Sequence, residues 1–165
     1  MFLNNRMLSL LGTAVLSLAF ASTPLSAAEH RHDHGHDSAP AKLALNNGKK
    51  WETDAPLRQG MQSIRKLMDA SQHDIHEGRL SAAKYGELAK KVNAEVGGIV
   101  ANCKLEPKAD AQLHLVIADI LEGVEAMDGG GKKAAMRHDG AVKVIAALEN
   151  YAAHFAHPGW KPVKH

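Results

Sequence analysis

Four runs of apolar side chains recur every three or four residues between Asp54 and Phe155, each closed by a helix breaker, and they severely restrict how this chain can fold. The first run is Leu57, Met61, Ile64, Met68 and Ile75, interrupted by a polar turn at Ser71. The second is Tyr85, Leu88, Val92, Val96, Ile99 and Cys103. The third is wider: Leu113, Val116, Ile117, Ile120, Leu121, Val124 and Met127. The fourth is Ala141, Val144, Ile145, Leu148, Tyr151 and Phe155. Such spacing puts each set on one stripe of an α-helix, whereas a strand would alternate with period two. The punctuation agrees. Thr53 or Asp54 is a good N-cap with Pro56 in the first turn, Gly78 closes the first helix, and Ser81 caps the second. A Lys104-Leu105-Glu106 link follows and Pro107 opens the third helix. Gly129-Gly130-Gly131 breaks the chain, and His157-Pro158-Gly159 ends the fourth helix. Gly140 lies inside that helix at a cost of about 1 kcal/mol relative to alanine, which weakens its first turns. The pattern predicts an all-α, up-down-up-down antiparallel four-helix bundle over 51–160, with 161–165 as a C-terminal tail.

The N-terminus reads differently. Met1 to Arg6 carries one positive charge, and Met7 to Ala21 is an apolar run of signal-peptide length, too short to span a bilayer comfortably. Pro24 breaks any helix there, and Ser26-Ala27-Ala28 places small residues where signal peptidase needs them. Residues 1–28 are therefore expected to be a signal peptide cleaved after Ala28, leaving a periplasmic protein from Glu29 with no stable membrane insertion. Arg6 is the single basic residue of that segment, so the remainder is close to electrically neutral. Nothing in that balance recommends nucleic acid as a partner. Cys103 is the only cysteine, which excludes an internal disulfide and leaves its thiol buried, paired between chains or bound to a ligand.

Residues 29–50 are expected to form a disordered His-rich arm and a connector, because Glu29 to Ala41 has no large apolar residue with which to build a core. The connector offers an Asn46-Asn47-Gly48 turn and Leu43, Leu45 and Trp51 as docking side chains. In the arm, His30, His32, His34 and His36 alternate with small or charged residues. In an extended chain, side chains two apart point the same way, so four imidazoles share one side with Asp33 and Asp37 nearby. Neutral imidazole coordinates Zn²⁺, Cu²⁺ and Ni²⁺, so the arm is a metal-binding candidate of modest affinity and loose metal choice.

A second candidate follows from the topology. The start of the first helix, the end of the second, the start of the third and the end of the fourth share one pole. There they collect Met61, Cys103, His114, His154 and His157, while His73 and His76 lie at the other. Thioether, thiol and imidazole together suit copper, or an axial pair for haem iron. Each also has a plainer reading as core packing or a satisfied interior side chain. The segments Thr53-Asp54-Ala55-Pro56-Leu57-Arg58-Gln59-Gly60-Met61 and Asn150-Tyr151-Ala152-Ala153-His154-Phe155 resemble the two ends of the soluble periplasmic b-type cytochrome with a four-helix fold. That resemblance implies a non-covalent haem b held by Met61 and His154. Cys103 and the His-rich arm have no counterpart in that family. Covalent c-type haem is excluded, since no Cys-x-x-Cys-His occurs.

No catalytic signature is present, and the chain does not read as an enzyme. The function expected is transition-metal binding, with copper or zinc held by His30, His32, His34 and His36 and a tighter site drawing on Met61, Cys103 and His114 or His154. Haem-based electron transfer and a cofactor-free stress or interaction role are the alternatives. Homodimerisation stays open.

Overall fold

The structure is a computed structural model that describes residues 42–130 and 134–164. The segment expected to be a signal peptide and the four arm histidines lie outside the described residues. Among the described residues there are four α-helices and no strand: α1 Ala55–His76, α2 Ala82–Asn102, α3 Pro107–Glu125 and α4 Ala134–His154. A π-type turn, Ala126–Gly130, follows α3, with Gly129 at φ +106°.

Local chemistry starts the first three helices. The Asp54 carboxylate accepts from the Leu57 amide at 2.9 Å, and Ser81 accepts from the Lys84 amide at 3.3 Å. Pro107 opens α3 behind Glu106, whose side chain makes no cap bond. The apolar stripes then close on one another. Leu57, Met61, Ile64, Met68, Val92, Val116, Ile120, Val144 and Tyr151 are fully enclosed, each stabilising the fold by roughly 1.5–3 kcal/mol relative to exposure.

Two periodic assignments differ from the structure. Leu121 is 38 % exposed, outside the part of the α3 stripe that is covered. Cys103 is in phase with the α2 stripe yet stands at its C-cap with ψ 137°, where the backbone has already left the helix.

Helix α3 packs most closely with α4, and α1 with α2; α1 also meets α4, and α2 meets α3. The closeness of α3 and α4 accounts for Gly140. A β-carbon there would stand 2.6 Å from the Gly123 carbonyl oxygen, and one on Gly123 would stand 2.6 Å from the Gly140 oxygen. Two glycines face each other where the backbones nearly touch. Gly60 does the same work against α2, where a β-carbon would fall 2.4 Å from Ile99 Cγ1.

Both flanking segments fold onto the helices. The connector is sewn to the end of α4: Trp51 donates its amide to His154 O, Ala156 donates to Trp51 O, both at 2.8 Å, and the Trp51 indole donates to Ala44 O at 2.7 Å. Trp51 is buried and Leu43 packs against the core, whereas Leu45 stays 42 % exposed. Beyond α4 the chain turns back, and Val163 is buried at 3 % exposure.

Candidate functional site

Asp54 organises the pole where these segments meet. Besides capping α1, its second oxygen accepts the Lys104 amide at 2.6 Å, and its carboxylate takes a hydrogen bond from the Cys103 thiol. One carboxylate thus ties the beginning of α1 to the end of α2. Burial pushes the Asp54 carboxyl upward, but the bonds from Lys104, Leu57 and Cys103 and the Arg58 charge together outweigh it and hold the group below its usual range. The neighbouring α3 is joined through the connector, since the Ala44 amide donates to Gln112 Oε1 at 2.7 Å.

The same contacts act on Cys103 in the opposite sense. Burial, the Asp54 charge and bond, and Asp110 beyond them push the thiol up to about 12. Thiolate is the form that coordinates metal and attacks electrophiles, so this surrounding favours a protonated hydrogen-bond donor.

The other sequence candidates scatter. Met61 is 0 % exposed within the core, so any haem would have to displace packed side chains to reach its sulfur. The His114 side chain is 66 % exposed, with Nδ1 2.9 Å from the Asp110 carbonyl oxygen and 3.4 Å from its carboxylate. His154 is half-buried and bonds the Asn150 carbonyl oxygen of its own helix at 2.7 Å. The interior Met61 and the outward His114 therefore do not share a pocket. Among the described residues, no group of three or more His, Cys, Asp and Glu side chains is arranged to hold a metal ion. At the other pole, His76 and His138 line one groove of about 340 Å³ floored by Ile75, Val142 and Ile145.

Two features escaped the sequence. A cleft of about 560 Å³ opens beside Asp54, with Trp51, Leu105 and Ala109 as its apolar wall and Glu52, Lys104, Glu106 and Lys108 around it. Its walls come from stretches some fifty residues apart, which no local pattern joins. The second is an aromatic cluster after α4. The Tyr151 hydroxyl is 2.9 Å from His157 Nδ1, and the two rings meet edge to face at 5.8 Å. Trp160 packs on both, 5.1 Å from Tyr151 and 4.9 Å from His157. An aromatic residue directly after a His-Pro-Gly turn, three past the histidine, is the one sequence signal that points to it.

The buried Arg65 is a third polar feature of the interior. It pairs with Asp69 at 3.5 Å while its Nε, among the described residues, has no partner. Among the described residues, no helix is long and apolar enough to cross a membrane. Compared with protein-family models, with curated proteins and with solved structures, the chain matches none of them.

Proposed function

We propose that this protein is exported to the periplasm and there binds and buffers a transition metal, copper or zinc, through its histidine-rich arm. The observation that carries the reading is the alternation of His30, His32, His34 and His36 directly after a signal-like segment. Four imidazoles on one side of an extended chain suit a borderline metal, and Asp33 and Asp37 supply hard oxygen ligands beside them. The helices serve as the anchor, packed as an up-down-up-down antiparallel bundle. In support of the anchor role, the connector at the root of the arm is bonded to α3 through Gln112 and to the end of α4 through Trp51. The pole adds less, because its thiol is occupied by Asp54 and His114 faces outward. Haem held by Met61 and His154 is the weaker reading for the same reason of enclosure.

The test is equilibrium dialysis of exported, untagged protein against Zn²⁺ or Cu²⁺, beside a variant lacking 29–41. Deletion should abolish micromolar binding near pH 7 and leave the helical circular dichroism unchanged. Binding should also fall steeply below about pH 6, since imidazole with a pKa near 6.5 must lose its proton to coordinate. Unchanged stoichiometry after deletion would remove the arm from the function, and a Soret band in the exported protein would turn attention to Met61 and His154.

A further inference from the structure

We propose that His157 is an acid-sensitive latch: it holds the last stretch of the chain as a strap over an apolar recess on α4, and its protonation releases that strap. The strap begins with a tight turn. Gly159 sits at φ +78°, a left-handed conformation that glycine adopts without penalty, and the Trp160 amide donates to His157 O at 3.1 Å. The turn lays the Trp160 ring over both His157 and Tyr151. Further on, Val163 enters the core and the Lys164 amide donates to Asp69 Oδ1 on α1 at 3.1 Å. Beneath the strap lies a mainly apolar recess of about 210 Å³ whose walls are Leu148, Glu149 and Ala152 of α4 with Trp160, Pro162 and Val163 of the strap itself, Glu149 being the acidic group at its edge. Among the described residues, two hydrogen bonds from backbone amides, Trp160 to His157 and Lys164 to Asp69, hold this segment together with the burial of Val163. Neither bond belongs to a helix's own backbone ladder, so the segment can open without unfolding the helices.

The chemistry of the latch lies in one hydrogen bond. Tyr151 is 0 % exposed, and neutral His157 can accept its hydroxyl proton at Nδ1. Protonation puts a hydrogen on Nδ1, so the bond can only reverse, with the imidazolium donating to the phenol oxygen, while the buried phenol's own O–H loses its acceptor and a charged ring replaces a neutral one. The surroundings add to the penalty. Arg58 on α1 repels the new charge, Tyr151 on α4 stays neutral because burial raises its pKa, and Trp160 carries no charge. Asp54 and Cys103 are felt at Tyr151, and Asp69 engages only the far end of the strap. Burial first and Arg58 second hold His157 below its ordinary value. The folded pKa is depressed, so the latch's contribution is complete above the unfolded value of about 6.5. It is lost as pH falls from there through the lower folded value.

The experiment uses the full exported chain at about pH 7.5 and about pH 5, following amide exchange of 159–164 corrected for intrinsic rates. The His157 ring and Trp160 indole signals are followed by NMR. Acidification should speed exchange across the strap about tenfold or more while the helices stay protected, and both signals should share one midpoint. His157→Asn keeps an acceptor near Nδ1 without a titrating group, and should leave the strap closed at both pH values. Equal acid opening in that variant overturns the latch. Should asparagine loosen the strap even at neutral pH, the unsubstituted chain decides. Coincident midpoints for His157 and Trp160 then support the latch, and separate midpoints overturn it.

Discussion

Replacing Gly140 by alanine should destabilise this protein even though alanine is the better helix former. The added methyl would lie 2.6 Å from the Gly123 carbonyl oxygen, 2.7 Å from Ala126 Cβ and 3.0 Å from the Met127 nitrogen. Two of these atoms are backbone and the third is a β-carbon, so no side chain can rotate away, and α3 and α4 must separate by several tenths of an ångström. Helix propensity returns about 1 kcal/mol. Overpacking of a close contact costs about 1–3 kcal/mol, and a clash with backbone belongs at the upper end. The net loss should be about 1–2 kcal/mol, lowering Tm by roughly 4–10 °C for a unit of this size. Gly97, in the C-terminal third of α2, is the internal control, because nothing stands within 4 Å of its would-be β-carbon. Gly97→Ala should raise stability by up to about 1 kcal/mol through propensity alone. Thermal and urea unfolding followed by helical circular dichroism measures both. If the two alanines shift stability in the same direction, the close approach of α3 and α4 is not what selects glycine at position 140.

Three further predictions concern the pole. Asp54→Ala should cost about 1–3 kcal/mol, since it removes a helix cap and leaves the Lys104 amide without its carboxylate. Because the Asp54 pKa is depressed in the folded state, its contribution should be complete above about pH 4 and disappear as pH falls through the lower folded value. Urea titrations of both proteins at neutral and strongly acid pH would display that convergence. Cys103, with its thiol pushed up to about 12, should react with iodoacetamide at pH 8 at least about a hundredfold more slowly than a free cysteine, and at the ordinary rate in urea. Met61→Leu should change stability by less than about 1.5 kcal/mol. If it nevertheless weakens copper or haem binding strongly, the enclosed thioether is a ligand and the core opens to admit one.

The helices are legible in the amino-acid sequence because what specifies them is local. Asp54 and Ser81 each accept an amide within one turn, Pro107 fixes the backbone of the first turn of its own helix, and the apolar stripes follow the 3.6-residue period of the element they stabilise. The arm's imidazole alternation is equally a property of a short stretch, though its purpose is not written there. Local pattern fails where the partner is remote. His114 lies between Leu113 and Leu115 and reads as interior, yet successive helical side chains diverge by about 100°, and the neighbouring helices cover Leu113 while His114 faces outward. Gly140 registers only as a propensity cost until α3 supplies the Gly123 carbonyl beside it. Cys103 fits the stripe of α2, but the carboxylate that holds its thiol belongs to residue 54. The last residues read as a tail because nothing nearby in sequence binds them; Asp69, which receives the Lys164 amide, is 95 positions away. Caps and periodicity need only the chain's own turn, so sequence determines them. Close approach, enclosure and the hydrogen-bond partners of Asp54, Cys103 and His157 depend on which segments meet, and only the tertiary structure decides that.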